Sequence, residues 1–548
     1  MLRLNTRAGR RSGRRFILFG IVAAAYLLGG QIRGPFTNVQ VVVGECASED
    51  KPRSMKLSES GDVLARTVRG RKGKNLGNHI YNANGLLEVN PEGPHPIYEL
   101  VERVQEAWDQ KLAKASKTLE EAVVEYQRRY KRPPLRGFDL WWQYVLDNNV
   151  QLPDEYDQIH RDNEPFWGVA PRDLQEFRRA WENNPDSFTI GKEAGDDPIA
   201  ILDYSVRYGD DSRHGSRIRA IFNPHDTPNL VTNYLLKQDA LRMAKQGRVL
   251  KIRNRPDHRS DGWLTACPPN ALAQKEYINW GRAPYYPPAS APRVKSFIHD
   301  HYASMDPCQY PSHFLLHGQF IPHGKGPEPY QHLIPQFSFS PSRVHYDITP
   351  ANPLNWINEI YPFEDNLDWE ERWDARLQWR GSNTGIYYSD NVRWDLSHRS
   401  RLMIWAGDGR AEGELTMRRN VTVRKEQWVP AMLDIAFSGE PVNCDPNVCA
   451  ELQNIFEYRK RHDGMTSGKY KYYIDSFKRL MTSKGLVFKT TMYSEWFMDR
   501  IAPWVHYIPI QNDLSNPMDA LVFFRGDPVG NGAHCPRRNG EEDSACGA

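Results

Sequence analysis

Two apolar strands that break abruptly into short polar loops restrict what this chain can become. Ile218–Phe222 runs straight into Asn223-Pro-His-Asp226, and the strand end at Leu377 and Trp379 runs into Arg380-Gly-Ser-Asn-Thr-Gly385. In α/β folds, functional groups collect on loops at the carboxyl ends of strands. Helical and strand patterns alternate along the chain, which predicts an α/β protein with more than one sheet.

The second loop suits an anion with several oxygens. Arg380 offers a planar fork, Gly381 lets the backbone approach a ligand, and Ser382, Asn383 and Thr384 add short donors. Gly385 permits an unusual backbone angle. A diphosphate fits such a loop, although Arg-Gly-Ser also occurs in plain surface turns. In the first loop, Asp226 can serve as a general base beside His225, or it can close an Asx turn ahead of Pro228.

The 548 residues carry a net charge of only +3, so no large field points to nucleic acid. Mean hydropathy of −0.68 fits a soluble body of two or three domains. Sixteen Trp suit large cores, or platforms for sugar rings. Seven Cys form no CxxC pair, and Cys444 and Cys449 are close enough for a local disulfide in an oxidising compartment. Seven His lie between His299 and His345, but proline-broken sequence and the lack of an HExxH helix argue against a metal. Asp154, Glu155, Asp157 and Asp162 read as an acidic helix start rather than an acid/base centre.

At the amino terminus an Arg cluster precedes the apolar run Phe16–Gly30. This reads as a signal peptide or a signal anchor, and the lack of a small-x-small cleavage site after Leu28 predicts the uncleaved anchor with a lumenal body; a mitochondrial presequence is the further alternative. The sequon Asn420-Val-Thr422 fits the lumenal reading. A single helix is expected from about Ile97 to Tyr130, and Arg399-Ser-Arg401 is expected to be a basic loop entering a strand at Leu402–Trp405.

Several stretches taken in order resemble glycosyltransferase family 90, the group of fungal capsule-associated proteins and Rumi-type protein O-glucosyltransferases. They are Gly137-Phe-Asp-Leu-Trp-Trp142, Leu152-Pro-Asp-Glu-Tyr-Asp-Gln-Ile-His-Arg-Asp162, Phe222-Asn-Pro-His-Asp-Thr-Pro228, His317-Gly-Gln319 and Phe337-Ser-Phe-Ser340. Trp379-Arg-Gly-Ser382, Glu495-Trp-Phe497 and Pro503-Trp-Val-His-Tyr507 complete the set. The resemblance runs from about Tyr98 to about His534. It implies a GT-B arrangement, two Rossmann-like lobes with a cleft between them. It implies inverting transfer from UDP-glucose or UDP-xylose to a hydroxyl of a glycan or glycoconjugate, with no metal and no cofactor. Asp226 matches the family's base. Arg380, Gly381, Ser382 and Thr384 match its diphosphate loop, and Glu495 matches an acidic position near the donor.

The chain departs from the family pattern in two places. A Gly-rich donor-binding segment is missing between Lys471-Tyr-Tyr-Ile-Asp475 and Ser476-Phe-Lys-Arg-Leu480, where Lys478 or Arg479 would have to substitute. The likeness also stops near Gly532-Ala-His534, before the family's closing helices. A catalytically impaired relative that binds glycans is the competing expectation.

The expected organisation is a cytosolic basic tail over 1–15, a transmembrane anchor over 16–32 and a flexible stem over 33–95. An N-terminal lobe carrying the base follows over 96–345, then a C-terminal nucleotide-sugar lobe over 346–534 and an irregular tail over 535–548. The expected location is the Golgi or endoplasmic reticulum membrane, single-pass type II.

Overall fold

The computed structural model describes residues 78–527, apart from 183, 193–199, 203–217, 252–261, 282–293, 352–366, 408–413, 417–421, 461–467, 475–479 and 482. The expected anchor, most of the stem, the sequon asparagine, the junction at 475–479 and the tail lie outside the described residues. Among the described residues no helix is long and apolar enough to cross a membrane.

The architecture is mixed α/β. A hairpin of β1 (Ile80–Tyr81) and β2 (Leu86–Glu88) opens the described chain. Helices α1 (Pro96–Lys114), α2 (Leu119–Tyr130), α3 (Phe138–Asp147), α4 (Asp157–Asn163) and α5 (Pro171–Trp181) follow. Then come β3 (Phe188–Lys192), β4 (Ala200–Leu202), β5 (Ile218–Phe222), α6 (Tyr234–Lys245), β6 (Ser296–Ile298) and β7 (Gln336–Phe337). The rest comprises β8 (Asp374–Gly381), α7 (His398–Trp405), the hairpin strands β9 (Glu414–Thr416) and β10 (Thr422–Arg424), β11 (Leu433–Ser438) and α8 (Pro446–Ile455). It closes with β12 (Tyr458–Arg459), β13 (Tyr470–Ile474), β14 (Leu486–Lys489), β15 (Ile508–Pro509) and α9 (Pro517–Arg525).

The larger sheet has the order β12-β11-β8-β13-β14-β15, and every pairing in it is parallel. Counted along the chain from β8, this is the 3-2-1-4-5-6 order of a dinucleotide-binding fold. Its strands read as apolar runs because both faces are covered, and β11 is buried at every position. Leu377, Trp379, Ile435, Phe437 and Phe488 share one core with Val448 and Leu452 of α8 and Leu521 and Phe523 of α9.

The smaller sheet has the order β4-β3-β5-β7. Here β3 runs antiparallel to both β4 and β5, and only β5 and β7 are parallel. The first lobe is therefore a mixed sheet rather than the Rossmann-like sheet expected. Ile190, Ile221, Phe222, Phe337 and Ile348 pack there with Leu236 and Ala240 of α6. That cluster extends to Ile348, just past the boundary expected at residue 345.

Three more expectations change. The segment assigned to the stem joins the fold by Ile80: β2 pairs with β6, and Leu87 is fully buried. With Ile97 and Leu100 of α1, Leu87 belongs to the core of the larger sheet, so the chain enters on the second lobe and not at residue 96 of the first. The single helix over 97–130 is two helices. Thr118 and Glu121 form a reciprocal capping box that starts α2, and Ala115 ends α1 in an extended conformation. Residues 398–405 are a helix and not a strand, because the Ser397 side chain accepts from Ser400 N and caps it.

Candidate functional site

The loop after β5 is shaped by one side chain. Asn223 N donates to Phe337 O at 2.8 Å, which continues the strand pairing. Asn223 Oδ1 then accepts from His225 N at 2.9 Å, while its Nδ2 donates to Thr227 O at 2.7 Å. This clamp turns Asp226 outward. Asp226 is exposed, and among the described residues its carboxylate has no hydrogen-bond or ion-pair partner. His225 Nε2 lies 2.9 Å from Asp186 Oδ1.

The loop after β8 sits at the strand where the order of the larger sheet reverses, the usual ligand position in such sheets. A Cβ on Gly381 would run into the Trp379 ring, and Gly385 has φ +91°, so both glycines are required by geometry. Ser382 and Thr384 are half-buried with their hydroxyls 3.4 Å apart. Asn383 is fully buried and brackets Val442, donating to its carbonyl at 2.6 Å and accepting from its amide at 2.9 Å. It is a strut, not the free donor expected.

Arg380 is not where the sequence suggested. Its guanidinium pairs with Asp434 of the adjoining strand β11 and donates to the Trp379 and Asp434 carbonyls at 2.8 and 2.7 Å. Tyr470 and Arg459 also bind Asp434. Burial raises the Asp434 pKa, but the hydrogen bonds from Tyr470 and Arg380 outweigh it and hold the group down to about 2. The guanidinium that reaches the loop is that of Arg399, in the first turn of α7. It donates to Ser382 O at 2.6 Å and to Thr384 Oγ1.

The two loops are joined by His317-Gly-Gln319. Gln319 Nε2 donates to Pro228 O at 3.3 Å on the base side, and Tyr493 donates its hydroxyl to Gln319 Oε1 at 3.0 Å. Burial raises the Tyr493 pKa and the Asp226 charge adds to the effect, which places Asp226 within electrostatic reach of that phenol. On the other side the His317 ring stacks on His398 with centroids 4.6 Å apart and an 8° tilt. Gly318 lies so close to Gly385 that a Cβ there would overlap the Gly385 carbonyl. Burial first, and then Arg399 and Arg401, push His398 down to about 3, so this ring is neutral at physiological pH.

Glu495 pairs with Lys489, the last residue of β14. It thus stands at the end of a strand of the same sheet, two places from β8 with β13 between them, and with its charge balanced. Burial lowers the Lys489 pKa against the pull of Glu495. The histidines between 299 and 345 are largely structural. His299, His301, His313, His317 and His345 each bond a protein partner. Among the described residues no group of three or more His, Cys, Asp or Glu is placed to hold a metal ion.

Sequence reasoning placed Arg399 in a basic loop without giving it a role in the site, and passed over Tyr493 and Asp186. For Arg399 the signal was present, since Ser397 followed by Arg399 and Arg401 marks a basic first helical turn, which is unfavourable unless an anion is near. Among the described residues two disulfides form, Cys444–Cys449 as the spacing allowed and Cys267–Cys308 across 41 residues.

No family model matches the chain. The human protein named "Protein O-glucosyltransferase 1" is 37% identical over 212 residues, covering 35% of this chain and 48% of that protein. The kinship is with a glycosyltransferase. The bovine protein of the same name is 37% identical over 214 residues, with the same coverage. The chain thus spans about half the length of the curated relatives it matches.

Proposed function

We propose that this protein is an inverting glycosyltransferase of the GT-B type, moving glucose or xylose from a UDP-sugar to a hydroxyl of a glycan or glycoconjugate. The observation that carries the reading is an open carboxylate at one strand end, coupled through His317–Gln319 to a glycine-rich loop at the reversal point of a 3-2-1-4-5-6 sheet. The relationship to protein O-glucosyltransferase 1 supports the same reaction class.

In this reading the acceptor oxygen attacks the anomeric carbon from the face opposite the nucleotide. Asp226 takes the hydroxyl proton as the new C–O bond forms. The bond from the anomeric carbon to the β-phosphate oxygen breaks, and its electron pair leaves with UDP. Charge building on the diphosphate meets Arg399, the Ser382 and Thr384 hydroxyls and the backbone at Gly381. Arg380 ties the start of that loop to β11 through Asp434. Glu495 with Lys489, two strands along the same sheet, lines the donor side of the cleft in this reading. Arginine and fixed donors supply the charge that a metal supplies elsewhere, so the proposal includes no resident metal or cofactor.

The disulfides fit the oxidising secretory pathway, and a Golgi or endoplasmic reticulum membrane location through residues 16–32 belongs to the proposal. The test is titration calorimetry with UDP, followed by transfer assays with UDP-glucose and UDP-xylose. Micromolar UDP binding and transfer that inverts the anomeric centre are expected. No heat at millimolar UDP would point instead to the non-catalytic relative.

A further inference from the structure

The loop that carries Asp226 holds a second polar group, the couple of His225 and Asp186. Both side chains are about half exposed, at 54% and 52%. An ion pair or hydrogen bond so open to water contributes little to folding. The loop does not need it for shape, because Asn223 already closes the turn from both ends. Asp186 is separately fixed, with its carbonyl accepting from Gln336 Nε2 at 2.7 Å. The couple exists because β3 starts where β5 ends: Phe188 pairs with Phe222 in the antiparallel register, which brings the turn before β3 beside the loop after β5. A carboxylate is thereby aimed at the histidine that precedes the base.

With Nε2 engaged by Asp186, the ring is held in one orientation and its Nδ1 is the nitrogen left to meet a ligand, one residue from Asp226. We infer that His225, oriented by Asp186, binds a second hydroxyl of the acceptor next to the one that Asp226 deprotonates, so that the acceptor is a sugar ring with neighbouring hydroxyls and not a lone serine or threonine hydroxyl. This rests on the glycosyltransferase reading and adds the acceptor class to it. His225 donates no proton to the leaving group and takes none from the nucleophile. It orients, and Asp226 does the chemistry.

The experiment compares wild type, His225→Ala and Asp186→Asn in the full chain. Acceptors are a panel of methyl hexopyranosides, the monodeoxy analogues of the best of them, and a serine-containing peptide. Wild type is expected to prefer a glycoside to the peptide. His225→Ala is expected to raise KM for that glycoside roughly tenfold, the scale of one hydrogen bond, with a far smaller change in kcat. Asp186→Asn should fall between the two. The decisive readout is the deoxy analogue lacking the neighbouring hydroxyl, for which wild type and His225→Ala should have the same KM. A bracing role alone would instead lower kcat on all acceptors alike. Unchanged glycoside KM in His225→Ala, or wild-type preference for the serine peptide, overturns the inference and leaves the transferase reading intact. Failure of wild type both to bind UDP and to transfer sugar removes the transferase reading, and this one with it.

Discussion

Arg380 opens the loop after β8 and Arg399 reaches it from α7, yet the structure gives them different work, and substituting each by alanine separates the two roles. Arg399 is half-buried and already donates to Ser382 O and Thr384 Oγ1 at the loop that would hold a diphosphate. A charge-assisted hydrogen bond is worth about 1.5–3 kcal/mol, so Arg399→Ala should weaken UDP binding by roughly 12- to 150-fold. The fold should change little, because water can reach the oxygens it leaves behind. Arg380→Ala instead strips one partner from buried Asp434. Breaking a buried pair costs about 3–5 kcal/mol, and since Arg459 and Tyr470 stay on the carboxylate, a loss of about 3 kcal/mol in stability is expected. The assays are UDP titration calorimetry and urea denaturation on both variants. Equal UDP affinity in Arg399→Ala and wild type, or a full loss of UDP binding in an undamaged Arg380→Ala, would refute the assignment.

Asp226→Asn should lower transfer by about 10²–10⁴-fold while leaving UDP affinity within a few-fold of wild type; retained transfer removes Asp226 as base. Gly318→Ala should push the 382–385 loop away from the Gln319 side, lowering kcat and UDP affinity together, and normal kinetics would show that the two backbones need not touch. Asp434 has a pKa depressed from 3.8 to about 2, so its charged form contributes stability above about pH 4 that is lost as pH falls toward 2. The stability gap between wild type and Asp434→Asn should therefore be about 1–2 kcal/mol wider at pH 6 than at pH 2, after allowing for solvent screening, as measured by urea denaturation. A gap that does not change with pH would mean the carboxylate is not held in its charged form.

What the sequence disclosed was local. The strand-to-loop breaks at Phe222 and Trp379 announced both halves of the candidate site, because a run of apolar residues ending in Gly, Asn and Asp is visible in a short window. The fate of Arg380 was not visible, since its partner Asp434 lies 54 residues away and meets it only because β11 pairs with β8. Leu402-Met-Ile-Trp405 misled for a different reason: four apolar residues fit a strand or a buried helical turn equally well, and only the cap at Ser397 decides. The sheet order and the Cys267–Cys308 bridge are likewise products of distant segments meeting.

The way Leu87, Ile97 and Leu100 seal the core of the larger sheet has a practical outcome. The first-made and last-made parts of the folded body are stitched into one unit, so neither half is a cassette that can be lifted out. A fragment beginning at residue 346 would leave that sheet with an uncovered greasy flank, and it should be recovered as aggregate where the longer chain stays in solution.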